Sequence, residues 1–210
     1  MTNSHIKFWI ILFVILLLAI PIWLDQPYQA RRIQDEVNQG VAIFGKESMQ
    51  SIVDNARAAY QVVFMDTELV STVNKAHVNE RHRQEAKSTF LPSHVLSGIT
   101  NDYLRSFSYN IYGIVVRLLI ICHWLLYLSP LLMAALLDAL CSRRIRFHNF
   151  SFTEPRLYAA SIHAVILLLA IPFIYLVAPI PITPLFFPQW TLLLTLPLVM
   201  MIINTNRMGS

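Results

Sequence analysis

Charge is scarce in this chain: only 13% of its 210 residues are Asp, Glu, Lys or Arg, where a soluble domain carries about a quarter. That shortage excludes an ordinary solvated globule. Glycine is scarcer still, with five residues. Neither G-x-G-x-x-G nor G-x-x-x-x-G-K-[ST] occurs, which removes the phosphate-cradling loops of nucleotide-binding folds. Cysteine is limited to Cys122 and Cys141, with no CxxC and no zinc-ligand spacing. About 28 Å of helix separates the two, too far to pair within one subunit. No long basic run or basic–aromatic repeat accompanies the net charge of +4, so direct nucleic-acid binding is not expected. His77 and His82 are not in an H-E-x-x-H arrangement. They stand about 140° apart on a helix and cannot share a metal there. With no nucleophile–base spacing, no catalytic residue, metal ligand or cofactor is expected, and the chain does not read as an enzyme.

What the chain does have is long apolar runs. Leu118–Leu137 contains no Asp, Glu, Lys or Arg and is bracketed by Arg117 and Asp138. At about 1.5 Å per residue it covers roughly the 30 Å of a bilayer's hydrocarbon core. Phe8–Leu24, Leu157–Ala178 and Leu185–Ile203 are of similar length. The expected fold is an all-α integral membrane protein with about four transmembrane helices. Residues 1–24 form an N-terminal anchor, 25–108 a helical periplasmic domain, and 109–207 a three-span membrane domain with a short Arg-rich cytoplasmic turn at 141–156. Phe8–Leu24 is followed by Leu24-Asp25-Gln26-Pro27, with no small-residue cleavage site, and reads as an uncleaved anchor. Met208-Gly209-Ser210 is expected to be an appended tail.

Orientation follows from the arginines. Arg143, Arg144, Arg146 and Arg156 face one acid, Glu154, between the second and third spans, and short loops rich in Lys and Arg stay cytoplasmic. Both termini are then cytoplasmic, residues 25–108 periplasmic, and the uncharged loop Pro179–Pro184 outside. This places the chain in a bacterial inner membrane as a multi-pass protein in contact with its lipids. Trp9, Trp23, Tyr28, Phe186, Phe187 and Trp190 fall near the expected interfaces. Pro172 and Pro197 are expected to kink their spans, as is Pro130 unless a neighbouring group serves the carbonyl it frees.

The exported segment is nearly neutral, with nine Lys or Arg and ten Asp or Glu. Ile33, Val37, Val41 and Phe44, then Ile52, Ala56, Ala59 or Tyr60 and Val63, and then Leu69, Val73 and Ala76 recur at helical spacing. Two or three amphipathic helices are expected, with a loop at Ser88–Gly98. Arg117 could contact a substrate or ion, or snorkel to the outer interface. His123 could relay protons or bond a neighbouring helix. Asp138 and His163 come to similar depth in a hairpin of the second and third spans and are expected to hydrogen-bond.

The stretch Pro130–Leu140, with Asp138, then Arg143-Arg144-Ile145-Arg146, Phe150, Pro155, Tyr158 and His163, resembles the integrating-conjugative-element membrane proteins. These are inner-membrane proteins encoded in conjugation regions beside the coupling ATPase and relaxase. The family pattern is a proline-led apolar helix ending in Asp, an Arg-rich turn, then a Tyr and a His in the next span. Where that pattern has Asp-Gly, this chain has Asp138-Ala139. The resemblance implies a non-enzymatic accessory or structural subunit of conjugative DNA transfer in a type IV secretion setting. Its implied partners are the coupling ATPase or other conjugation membrane subunits, with a homo-oligomer also open. The resemblance makes Arg143, Arg144, Arg146 and Arg156 a docking surface; by themselves they serve equally as topology signals and headgroup contacts. A small oligomeric transporter or channel and a mating exclusion factor are the competing functions.

Overall fold

Helix is the only regular structure among the described residues of the computed structural model, which are 2–62, 93–149 and 154–205. In chain order these are α1 (Thr2–Trp23), α2 (Gln26–Phe44), α3 (Lys46–Tyr60), α4 (Ser93–His148), α5 (Pro155–Val177) and α6 (Phe186–Ile203). The described residues are all-α, as expected. Three helices, α4 over Asp102–His148, α5 and α6, are long and apolar enough to cross a membrane. A fourth passes only as α1 taken together with α2, which meet at a bend of 115°.

The local reasons are visible in the sequence. Pro27 sits in the first turn of α2, where the missing N–H would have had no helical partner. Gly45 separates α2 from α3 at φ 82° and ψ 163°, a backbone region almost confined to glycine. Gly40 lets α3 fold back closely, since a Cβ there would stand 2.5 Å from Met49 Sδ.

α4 is the main departure from expectation. It is 56 residues long, roughly 84 Å at a rise of about 1.5 Å. Ser93–Gly98, expected in a loop, forms its first turns, while Ser88–Pro92 lies outside the described residues. A single glycine costs a long helix only about 1 kcal/mol. At the other end Cys141–His148 extends the helix, so most of the expected turn is helical. No residue between Ala139 and His148 is a helix breaker.

Two prolines inside helices have their freed carbonyls served. Pro130 leaves Leu126 O without its N–H, and Ser129 Oγ donates to that oxygen at 2.9 Å. Pro172 leaves Leu168 O, and Trp190 Nε1 of α6 donates to it at 2.8 Å.

The chain folds as two compact units: Met1–Leu119 with Leu176–Thr183, and Ile120–Tyr175 with Pro184–Ser210. The units do not follow the divisions at residues 24 and 108 read from the sequence. In the first, Ile33, Met49, Ile52, Val53, Ala56 and Val116 are buried. In the second, Tyr175 stacks on Phe186 with ring centres 5.2 Å apart, beside buried Phe187 and Thr191. The expected helical run Leu69–Ala76 and the pair His77 and His82 lie outside the described residues.

Candidate functional site

The first unit is held by a polar seam between α2 and α4. Gln29, Arg32, Ile33, Glu36 and Gly40 recur at three- and four-residue spacing and form the buried face of α2. Ser106, Asn110, Gly113 and Arg117 recur likewise on α4, so each set lies on one side of its helix. Gln29 Nε2 donates to Ser106 Oγ at 3.3 Å, and Ser106 Oγ donates to Leu24 O. Further along, Arg117 grips Glu36 with two parallel bonds, Nε to Oε2 at 3.0 Å and Nη2 to Oε1. Both side chains are out of solvent, at 0% and 2% exposure.

The same guanidinium also holds the segment that follows α5. Arg117 Nη1 donates to Ala178 O at 2.8 Å and Leu176 O at 3.2 Å, and Nη2 to Ile180 O at 2.7 Å. Arg32 Nη1 joins at Ala178 O, 3.2 Å away, and Ile182 N donates to Glu36 Oε1 at 3.4 Å. Gly113 makes room for Arg32, because a Cβ there would stand 2.6 Å from its Nη2.

The charge balance of this seam is uneven, with two buried guanidinium groups to one carboxylate. Backbone carbonyls at and just past the C-terminus of α5 supply part of the remainder, where the helix end carries about half a negative charge. Arg32 is still under strain as a cation. Burial first, and Arg117 second, lower its pKa to about 10, against the upward pull of Glu36 and Tyr28. It stays protonated at neutral pH. Arg32 Nε and Nη2, Gln29 Oε1 and both amide atoms of Asn110 are buried without hydrogen-bond partners among the described residues. Such groups are costly to leave dry.

Arg117 was expected either to contact a substrate or ion or to reach the outer interface. Its guanidinium is instead enclosed by Glu36 and backbone carbonyls. The polar residues of the seam escaped the sequence reading, which followed Ile33, Val37, Val41 and Phe44 on α2; of these Ile33 lies on the buried face. Val41 is exposed. The signal was present as matched polar spacings, 29-32-36 and 106-110-113-117, ending in opposite charges.

In the second unit, Arg143, Arg144 and Arg146 lie on the last two turns of α4, and Arg156 on the first turn of α5. Arg144, Arg146 and Arg156 are exposed and Arg143 is half-buried. Arg146 Nη1 donates to Asn204 Oδ1 at 3.3 Å, tying the end of α6 to the end of α4. Cations suit the C-terminus of α4, but Arg156 sits at the positive end of α5, where the helix gains nothing from it. Residues 150–153 lie outside the described residues.

The expected Asp138–His163 hydrogen bond is not made. Both residues are exposed. The faces that α4 and α5 bury carry Ala139, Ser161 and Val165 instead. His123 packs edge-on to Tyr127 with ring centres 5.0 Å apart. Cys122 and Cys141 are free and exposed. Among the described residues no group of three or more His, Cys, Asp or Glu could hold a metal ion.

No curated protein and no solved structure matches the chain. One family model does, and it covers the seam from Arg32 onward, the arginine-rich helix ends and all three candidate spans. It describes plasmid conjugation, so the conjugative setting stands, while the match does not extend to the integrating-element membrane family. Matched over residues 30–208, the chain belongs to the family of IncC plasmid conjugative DNA transfer proteins that are DtrJ-like.

Proposed function

We propose that this protein is a non-enzymatic accessory subunit of the conjugative transfer apparatus, set in the inner membrane of a type IV secretion system and docking the coupling ATPase. Family membership carries the conjugative role. Three helices of spanning length and apolarity support the membrane setting. The exposed guanidinium groups of Arg144 and Arg156, beside helix ends and without an ion-pair partner among the described residues, support the docking surface. A cytoplasmic patch of this kind suits an acidic protein face and steers its approach. Residues 25–108 are proposed to lie in the periplasm, where the neutral α2–α3 hairpin contacts envelope components.

Crosslinking and affinity purification of the tagged protein from donor membranes tests this reading. Enrichment of the coupling ATPase or a channel subunit is the expected result. Recovery of the protein alone, at a stoichiometry above one, would overturn recruitment in favour of a homo-oligomeric transporter, to be followed by flux assays. Arg144→Glu/Arg156→Glu should abolish DNA transfer with normal abundance and insertion, and it spares the Arg146–Asn204 bond. Loss of insertion in this variant would make the arginines topology signals only.

A further inference from the structure

The polar seam buries two guanidinium groups, Arg32 at 2% exposure and Arg117 at 0%, and Glu36 is the one buried carboxylate among the described residues. Arg117 turns its Nε–Nη2 edge to Glu36 and holds it with two bonds, the fork by which arginine recognises an anion. Arg32 gives Nη1 to Ala178 O. Its own Nε and Nη2 are buried without a hydrogen-bond partner among the described residues. The helix end at α5 offers only about half a unit of negative charge, and its carbonyls bond Arg117 and Arg32 Nη1 rather than this edge. Asn110 comes to the same stretch of the seam. One turn before it on α4, Ser106 accepts from Gln29. One turn after it, Gly113 lies so close to Arg32 that a Cβ would stand 2.6 Å from Nη2. Asn110 shares their face of α4 and so looks onto α2 between Gln29 and Arg32. It is fully buried, and neither atom of its amide is hydrogen-bonded among the described residues. The same holds for Gln29 Oε1. A water would serve donors and acceptors alike, but it brings no charge. A buried cation short of its counter-charge is the costlier deficit, and arginine does not shed its proton.

We infer that the Nε–Nη2 edge of Arg32, with Asn110 Nδ2 from the facing helix, holds a small monovalent anion of the chloride class. The anion stands to Arg32 as Glu36 stands to Arg117, and it gives each buried guanidinium its own counter-charge. Burial of both side chains excludes a bulky or polyvalent occupant. The bound anion ties α2 to α4 between the Gln29–Ser106 bond and the Glu36–Arg117 pair, so the docking of α2 on α4 becomes anion-dependent.

The test uses the full-length protein in detergent, melted in potassium gluconate with chloride or bromide exchanged for gluconate at constant ionic strength. Both halides should raise the melting temperature saturably, by about 3–6 °C at ten times the half-saturating concentration. Asn110→Asp sets a carboxylate beside Arg32 in place of the anion and should lose the response. Arg32→Gln, which removes the buried charge, should lose it too. Arg144→Glu/Arg156→Glu should keep it, which excludes the exposed arginines as its source. Equal melting of the unaltered protein in gluconate, chloride and bromide would overturn the inference whether or not the variants fold, and would leave water as the occupant. A rise without saturation would be a general salt effect and would overturn it as well. So would an undiminished response in folded Asn110→Asp or Arg32→Gln.

Discussion

Removing the Arg117 guanidinium would strand the buried Glu36 carboxylate and release the carbonyls of Leu176, Ala178 and Ile180 at and just past the end of α5. Arg117→Met should therefore cost about 3–5 kcal/mol, as breaking a buried pair does, read as a fall in melting temperature in detergent. Apolar replacement of both partners often restores stability. Here Glu36→Met/Arg117→Met should recover only in part, because Leu176, Ala178 and Ile180 lose their donor in both variants. Full recovery would show that the carbonyl contacts contribute nothing. Gly113 gives a sharper test at the same scale. Gly113→Ala should destabilise by about 1–3 kcal/mol by driving a Cβ against Arg32. In an Arg32→Ala background the same change should stabilise by about 0.5–1 kcal/mol, the usual gain of alanine over glycine in a helix. Equal effects in both backgrounds would rule out the close approach. Only part of this was legible from periodicity, because an apolar search on α2 selects Ile33, which is buried, along with Val37, Val41 and Phe44, and passes over the Gln29, Arg32 and Glu36 that are buried beside it. A charged residue reads as exposed until its partner, 81 positions away, is known.

At the scale of helices, the apolar runs made the candidate spans legible, and the prolines show why the boundaries were less so. Pro172 was expected to kink its helix, and Pro130 to do so unless a neighbouring group served the carbonyl it frees; α4 and α5 run on past both prolines, with Ser129 and Trp190 on the two freed carbonyls. From sequence, Trp190 reads as an interfacial aromatic; its bond to Leu168 O depends on how α5 and α6 pack. Trp190→Phe should cost about 1 kcal/mol through the lost hydrogen bond. In a Pro172→Ala background, where the backbone N–H of residue 172 again serves Leu168 O, that loss should vanish. Additive melting shifts for the two changes would sink the pairing. The length of α4 was illegible for a different reason. Pro92, Gly98 and the arginine cluster suggested loops, yet a proline before the first turn and cations at the last turn both favour helix.

For the whole molecule, the deciding question is which side of the membrane each part occupies, since the proposed docking at Arg144 and Arg156 requires the cytoplasm. The arginine count gives the expected orientation, and Arg144 and Arg156 are exposed at the ends of α4 and α5. The three-part division at residues 24 and 108 was drawn from local composition. The compact units cut across it because Leu176–Thr183, remote in sequence, joins the first unit, and only a long-range contact such as Arg117 to Ala178 O reveals that. Orientation can be read directly with single cysteines in a Cys122→Ser/Cys141→Ser background, since both natural thiols are exposed. Asp54→Cys on α3 and Asn149→Cys just past α4 are both at exposed positions. A membrane-impermeant maleimide should label Asp54→Cys in intact spheroplasts and Asn149→Cys only in inverted vesicles. The reverse pattern would put the arginine-rich ends outside, beyond the reach of a cytoplasmic ATPase, and the α2–α3 hairpin inside. Labelling of both sites from one side would require an even number of crossings between them, which α4 as a single span forbids.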